Sequence, residues 1–227
     1  MSSFDSILKY IKENLRLPIE LYLKLASYIR DILGFDTAGH GWLHIDRVSR
    51  LAIKIALKEG GDLDVIILAA LLHDIAILRE IDEGIDHAEE SAKIAYSILR
   101  NYNVPDDIIE KVVYSIRVHR FGAGIPPNTI EAKILQDADR LDALGAVGIA
   151  RAFTYGGFRK LPMYIPGEKP EVYDPFKLKS TLTHFYEKIL RLKDGMNTET
   201  ARQIAEDRHR FVLVFLDRLL HEVEGEV

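Results

Sequence analysis

The stretch Val65–Glu80, VIILAALLHDIAILRE, constrains this chain more than any other. It is mostly Leu, Ile, Val and Ala, yet His73 and Asp74 stand side by side in its middle. An unpartnered carboxylate taken out of water is costly enough that it would sooner change its protonation state. Whatever this chain folds into must therefore supply Asp74 with a partner. The run is not a membrane span, because about 14 apolar residues fall short of the roughly 20 that a span needs.

The rest of the chain carries helical periodicity, and strand-like alternation is nearly absent. Residues 4–14 and 19–33 read as two helices, with Pro18 at a start and Gly34 at an end. Residues 42–59 place Val48, Leu51 and Ile55 on one face, and Gly60-Gly61 stops them. Asp62 is suited to cap a helix over 63–78. Further helices are expected over 86–101, from Pro105 to about 119, over 129–154 with a bend near Gly145 or Gly148, over 179–193, and over 198–223 with Asn197 as cap. Residues 156–176 hold four prolines and three glycines and read as one long loop, which loops of that length often make functional. The expected architecture is an all-α bundle of about seven to ten helices.

Neighbouring helical residues point about 100° apart, so His73 and Asp74 can both reach one point beside their helix. A metal ion there would neutralise Asp74 and use the imidazole, turning the burial cost into binding energy. Further ligands must come from other helices. His44 shares a face with Val48 and Leu51, and Asp139 shares one with Leu135 and Asp142. The set His44, His73, Asp74 and Asp139 contains two imidazoles and two carboxylates. That mixture suits Mn²⁺, Fe²⁺, Co²⁺, Ni²⁺ or Zn²⁺ better than Mg²⁺ or Ca²⁺, imidazole being the softer donor.

The order His…His-Asp…Asp on an all-helical chain resembles the HD-domain superfamily of metal-dependent phosphohydrolases, most closely a bacterial and archaeal single-domain branch. The resemblance rests on GHGWLHIDRV (39–48), AALLHDI (69–75) and EAKILQDADRLDALGAVGIARAFTYGG (131–157), and extends through THFYEKILRLKDGMNTETARQIAEDRHRF (183–211). It implies an HD-domain helical bundle over 38–227, with residues 1–37 as a helical extension packed on the same domain. It also implies one divalent transition metal, manganese foremost, held by His44, His73, Asp74 and Asp139. Some members add two histidines between the HD pair and the last Asp, where they hold a second ion. His87 and His119 resemble those positions; they are candidates for a second metal, for substrate contact, or for acid–base work.

Other polar residues are candidates on their own chemistry. Arg47 and Arg120 could clamp phosphate through paired guanidinium hydrogen bonds. Arg117 reads as a surface residue. Arg140 and Asp142 could brace ligands, and Asp142 could act as a base. His40, flanked by glycines, reads as a residue at the pocket edge that meets substrate, while His184, His209 and His221 read as structural.

The activity expected is hydrolysis of a phosphoester or phosphoanhydride in a small molecule, a nucleotide by family habit. The alternative is a non-catalytic sensor that binds metal and nucleotide. A di-iron oxygenase is a smaller alternative, requiring both His87 and His119 as ligands. A formal charge of −5 argues against a partner that coats nucleic acid polymers. With no cysteine, thiolate sites and cysteine nucleophiles are excluded. No G-x-S-x-G and no P-loop signature occurs. The amphipathic, charged N-terminus does not read as a secretory signal, and a cytoplasmic protein with no membrane partner is expected.

Overall fold

The computed structural model describes residues 3–34, 39–120, 125–169, 174 and 177–226. Those residues are all-helical, with no strand among them. No helix among them is long and apolar enough to cross a membrane. The chain divides into two compact units, Met1–Asp36 with His40–Asp139 and Thr37–Gly39 with Arg140–Val227.

The first unit begins with α1 (Ser3–Ile11), a 3-10 turn over Lys12–Asn14, and α2 (Ile19–Leu33). Next come α3 (Trp42–Glu59), α4 (Leu63–Leu72), α5 (Ile77–Glu83), α6 (His87–Asn101), α7 (Asp106–Arg117) and most of α8 (Ile130–Asp142). Helix α4 is buried on all sides from Asp64 to Leu72, as a helix without a polar face must be. It packs against α2, α3, α6 and α7. Asp62 caps it, accepting from the Asp64 amide at 3.1 Å. The N-terminal segment is tied to this core at two places. Phe4 meets the Trp42 ring edge-on, and the carboxylate of Asp64 gathers the chain around Arg16 and Leu17.

The second unit contains the end of α8, then α9 (Gly145–Phe158), α10 (Thr181–Glu187), a 3-10 segment over Ile189–Gly195, and α11 (Glu199–Glu224). Phe153, Phe185 and Phe215 cluster in its core, with centroids 5.7–6.3 Å apart. The bend expected near Gly145 is a full break. Gly145 takes φ +72°, a conformation that strains any residue with a Cβ. Arg208 donates to the Leu141 carbonyl at the end of α8, which also accepts the Leu144 amide at 3.1 Å.

Several boundaries differ from expectation. The helix expected over 63–78 stops at Leu72, and residues 73–76 form a turn before α5. Gly156 to Phe158, expected in the long loop, complete α9. The cap of α11 is Thr198 rather than Asn197; its hydroxyl accepts from the Ala201 amide. Part of the 156–176 segment, expected as one long loop, lies outside the described residues.

Candidate metal centre

The turn over residues 73–76 explains how adjacent His73 and Asp74 face one site. His73, the residue that caps α4 after Leu72, keeps helical dihedrals. Its Nδ1–H donates to the Ala70 carbonyl at 2.9 Å. That bond fixes the tautomer and leaves Nε2 with a bare lone pair. Asp74 then heads the turn and accepts the Ile77 amide through its own carbonyl, at 3.0 Å.

Four more parts of the same unit bring donors to this point. His44, on the first turn of α3, places Nε2 3.3 Å from His73 Nε2, 3.5 Å from Asp74 Oδ2 and 3.5 Å from Asp139 Oδ1. His73 Nε2 lies 3.7 Å from Asp74 Oδ2. Asp139 comes from α8 and is the most open of the four, its side chain 26 % exposed against 4 % or less for the others. On the other side of Asp74, Oδ1 faces His87 Nε2 at 3.4 Å and His119 Nε2 at 3.5 Å. His119 follows α7 and donates Nδ1–H to the Ile116 carbonyl at 2.6 Å, so its Nε2 also points inward.

These separations test whether a metal fits. Donors bonded to one ion at about 2.1 Å stand roughly 3.0–3.4 Å apart in octahedral or tetrahedral geometry. His44 with His73, Asp74 and Asp139, and His73 with Asp74, stand 3.3–3.7 Å apart, close to that spacing. One ligand atom each of His44, His73 and Asp139, as of His40, His44 and Asp74 and of His73, Asp74 and His119, lies within 4.8 Å of the others in its group. The donor chemistry agrees. Burial drives the His73 imidazole down to about 4, against the pull of Asp74, so the ring is neutral at pH 7. Burial would raise the Asp74 carboxyl, but His73, His119, His40 and His44 outweigh it and hold it well below the usual carboxylate range. Asp139 is likewise raised by burial and lowered further by His44 and His73. The centre therefore offers ionised carboxylates and a neutral imidazole lone pair, which is what a divalent cation requires.

The remaining candidates fall at varying distances from this centre. His40 approaches Asp74 Oδ2 with Nδ1 at 3.3 Å, and at 35 % exposure it is the most solvent-accessible of the histidines around Asp74. Arg47 lies on α3, three residues beyond His44. Arg120 pairs with Glu80 at 2.8 Å and Asp86 at 3.1 Å. Arg117 forms an exposed pair with Glu89. Arg140 donates to the Gly195 carbonyl. Asp142 is buried, lies in the second unit and accepts from Arg151 Nη1 at 2.9 Å. Glu80 escaped the sequence reading, although its Oε2 accepts from His87 Nδ1. No local pattern marks it, for it lies in a separate helix seven residues upstream.

The HD-domain model matches residues 41–144. YpgQ of Bacillus subtilis, an uncharacterized protein, is 38 % identical over 206 residues, which are 89 % of this chain and 93 % of YpgQ. The chain belongs to the HD-domain family. Among solved structures of the HD-domain kind, an HD-superfamily hydrolase from Bacillus thuringiensis is 40 % identical and matches with a TM-score of 0.71. The match covers 90 % of this chain and 97 % of that one. The structure of Bacillus subtilis YpgQ in complex with ADP is 35 % identical, covers 91 % of this chain and all of the other, and has a TM-score of 0.70.

Proposed function

We propose that this protein hydrolyses a phosphoester or phosphoanhydride bond of a small molecule, a nucleotide, with the help of a divalent metal. The observation that carries the reading is the convergence of His44, His73, Asp74 and Asp139 from separate elements of one unit, with donor spacings that suit one ion. The ADP complex of a 35 % identical relative supports a nucleotide as substrate.

In this reading those four side chains hold the ion, and their mixed nitrogen and oxygen donors favour manganese. A divalent ion so held supplies a Lewis acid for a phosphate oxygen and brings the pKa of water near neutrality. The protein's own groups do the rest. Asp139, on the open side, accepts a hydrogen bond from the attacking water and orients it. His87 and His119 present Nε2 beside Asp74. His119, which burial lowers but Asp74 holds above its ordinary pKa, is the ring that in its imidazolium form hands an Nε2 proton to the leaving oxygen, a contribution of roughly 10²–10⁴-fold. Arg47 and His40 bind substrate phosphate at the more exposed rim. Arg120 acts on the reaction indirectly, through the ion pairs it already makes. His87 and His119 are also the residues that would hold a second ion, as some HD-domain proteins have.

The test is a panel of nucleotides and simple phosphoesters assayed with Mn²⁺, Mg²⁺, Co²⁺, Ni²⁺ and Fe²⁺ on protein freed of metal. Turnover of at least one nucleotide, lost in His73→Ala, is the expected result. Turnover that survives His73→Ala would overturn the mechanism. Tight metal binding with no turnover of any member would favour the non-catalytic sensor.

A further inference from the structure

His87 is the first residue of α6, and its ring is gripped from behind. Its Nδ1–H donates to Glu80 Oε2. The other oxygen of Glu80 accepts from Arg120 Nη2 at 2.8 Å, and Arg120 Nη1 reaches Asp86 Oδ2 at 3.1 Å. Asp86 in turn caps α6, accepting the amides of Ala88 and Glu89. Glu80 is mostly buried, with 13 % of its side chain exposed. A carboxylate in that position is neither a surface charge nor a ligand of the centre. Its two oxygens have separate tasks, one taking the proton of His87 and the other taking Arg120.

We infer that Glu80 is a positioning residue for the centre: held by Arg120, it fixes the proton of His87 on Nδ1 and so aims a proton-free Nε2 at Asp74 and His119. The inference rests on the phosphohydrolase reading for its consequence, but not for its geometry. A neutral imidazole carries one proton, and the stronger acceptor decides which nitrogen holds it. Partners of this kind, placed behind a histidine at a metal centre, cost roughly 10–100-fold in metal affinity or activity when removed.

The replacement Glu80→Gln tests this with little change in volume. An amide has one acceptor and one donor end. Arg120 can only donate, so it takes the amide oxygen, and the NH₂ turns to His87. The ring must then accept at Nδ1 and carry its proton on Nε2. Side-chain ¹⁵N NMR of the full-length protein, freed of paramagnetic metal, reads the two tautomers directly. The parent protein is expected to show His87 protonated at Nδ1. Glu80→Gln is expected to show it protonated at Nε2, and Glu80→Ala to show a mixture. With metal restored, kcat falls roughly 10–100-fold in Glu80→Gln while KM stays within about two-fold. An unchanged tautomer in both variants overturns the inference, and so does a switched tautomer with full kcat. Should Glu80→Gln fail to fold, Glu80→Ala carries the same readings. Should the parent protein turn over nothing, the phosphohydrolase reading fails while the NMR result still decides the role of Glu80.

Discussion

Asp64 shows how a buried carboxylate can organise a fold rather than a reaction, and the structure allows the cost of disturbing it to be worked out. It is 1 % exposed. Oδ2 accepts from the Arg16 amide at 3.1 Å and from Arg16 Nε at 3.2 Å. Oδ1 accepts from the Leu17 amide at 3.2 Å and from the Tyr22 hydroxyl. Both oxygens are thus fully used, and each faces two donors. Asp64→Asn keeps the shape, but either orientation of the amide turns an NH₂ group toward two donors. Two hydrogen bonds to a charged acceptor are lost, each worth about 1.5–3 kcal/mol. The expected destabilisation is about 3–6 kcal/mol, a fall in Tm of roughly 6–24 °C for a chain of this size. Tyr22→Phe removes one of the four donors and leaves the carboxylate satisfied, so its cost is about 1–2 kcal/mol. Thermal and urea unfolding followed by circular dichroism, in the absence of metal, measures both. An Asp64→Asn cost below about 1 kcal/mol would refute the reasoning, because it would mean that water reaches these donors when the carboxylate is lost.

Three other outcomes follow from the same structure. Saturating the centre with Mn²⁺ at about 100 times its Kd raises stability by about 2.7 kcal/mol, and a chelator reverses the rise; a scanning calorimeter reads it, and no shift would mean that no ion is held. Leu68→Ala, at the middle of α4 with no exposed surface, costs about 2–5 kcal/mol by denaturant unfolding, whereas a loss under 1 kcal/mol would show that the core around α4 collapses into the gap. The third concerns pH. Burial, aided by the charge of Lys188, pushes the His184 imidazole down to about 3. As pH falls through 6.5 the unfolded chain takes up this proton and the folded chain does not, so stability is lost between about 6.5 and 3. The ring keeps some contact with solvent, and the loss between pH 7 and pH 5 is about 1–2 kcal/mol. His184→Gln should remove that part of the slope, and an unchanged slope would show that the ring titrates normally in the folded state.

Much of this was readable from one dimension because local rules wrote it. The bounds of α3, Trp42 to Glu59, follow from apolar spacing closed by Gly60-Gly61. The same holds for the Asp62 cap of α4 and for α6 starting at His87. The four donors His44, His73, Asp74 and Asp139 were legible for a related reason. Each is a polar residue on an apolar face, and such a residue needs a partner from another helix. Burial and charge are properties of residue type, so the demand for a partner can be read without knowing where that partner comes from.

What the sequence could not reveal depends on groups distant in the chain. The end of α4 at Leu72 is hidden inside an unbroken apolar run; there the His73 ring takes the Ala70 carbonyl. Gly156 and Gly157 look like loop residues, yet they belong to α9, where a Cβ on Gly156 would sit 2.0 Å from Thr181 Oγ1. Glu80 carries no signal at all until α5 and α6 set it behind His87. By itself the sequence determined which side chains must be buried and which of them could not be left alone. Only the tertiary structure decided which carboxylate faces the centre and which one stands behind it, because hydrogen-bond partners are chosen by distance in space.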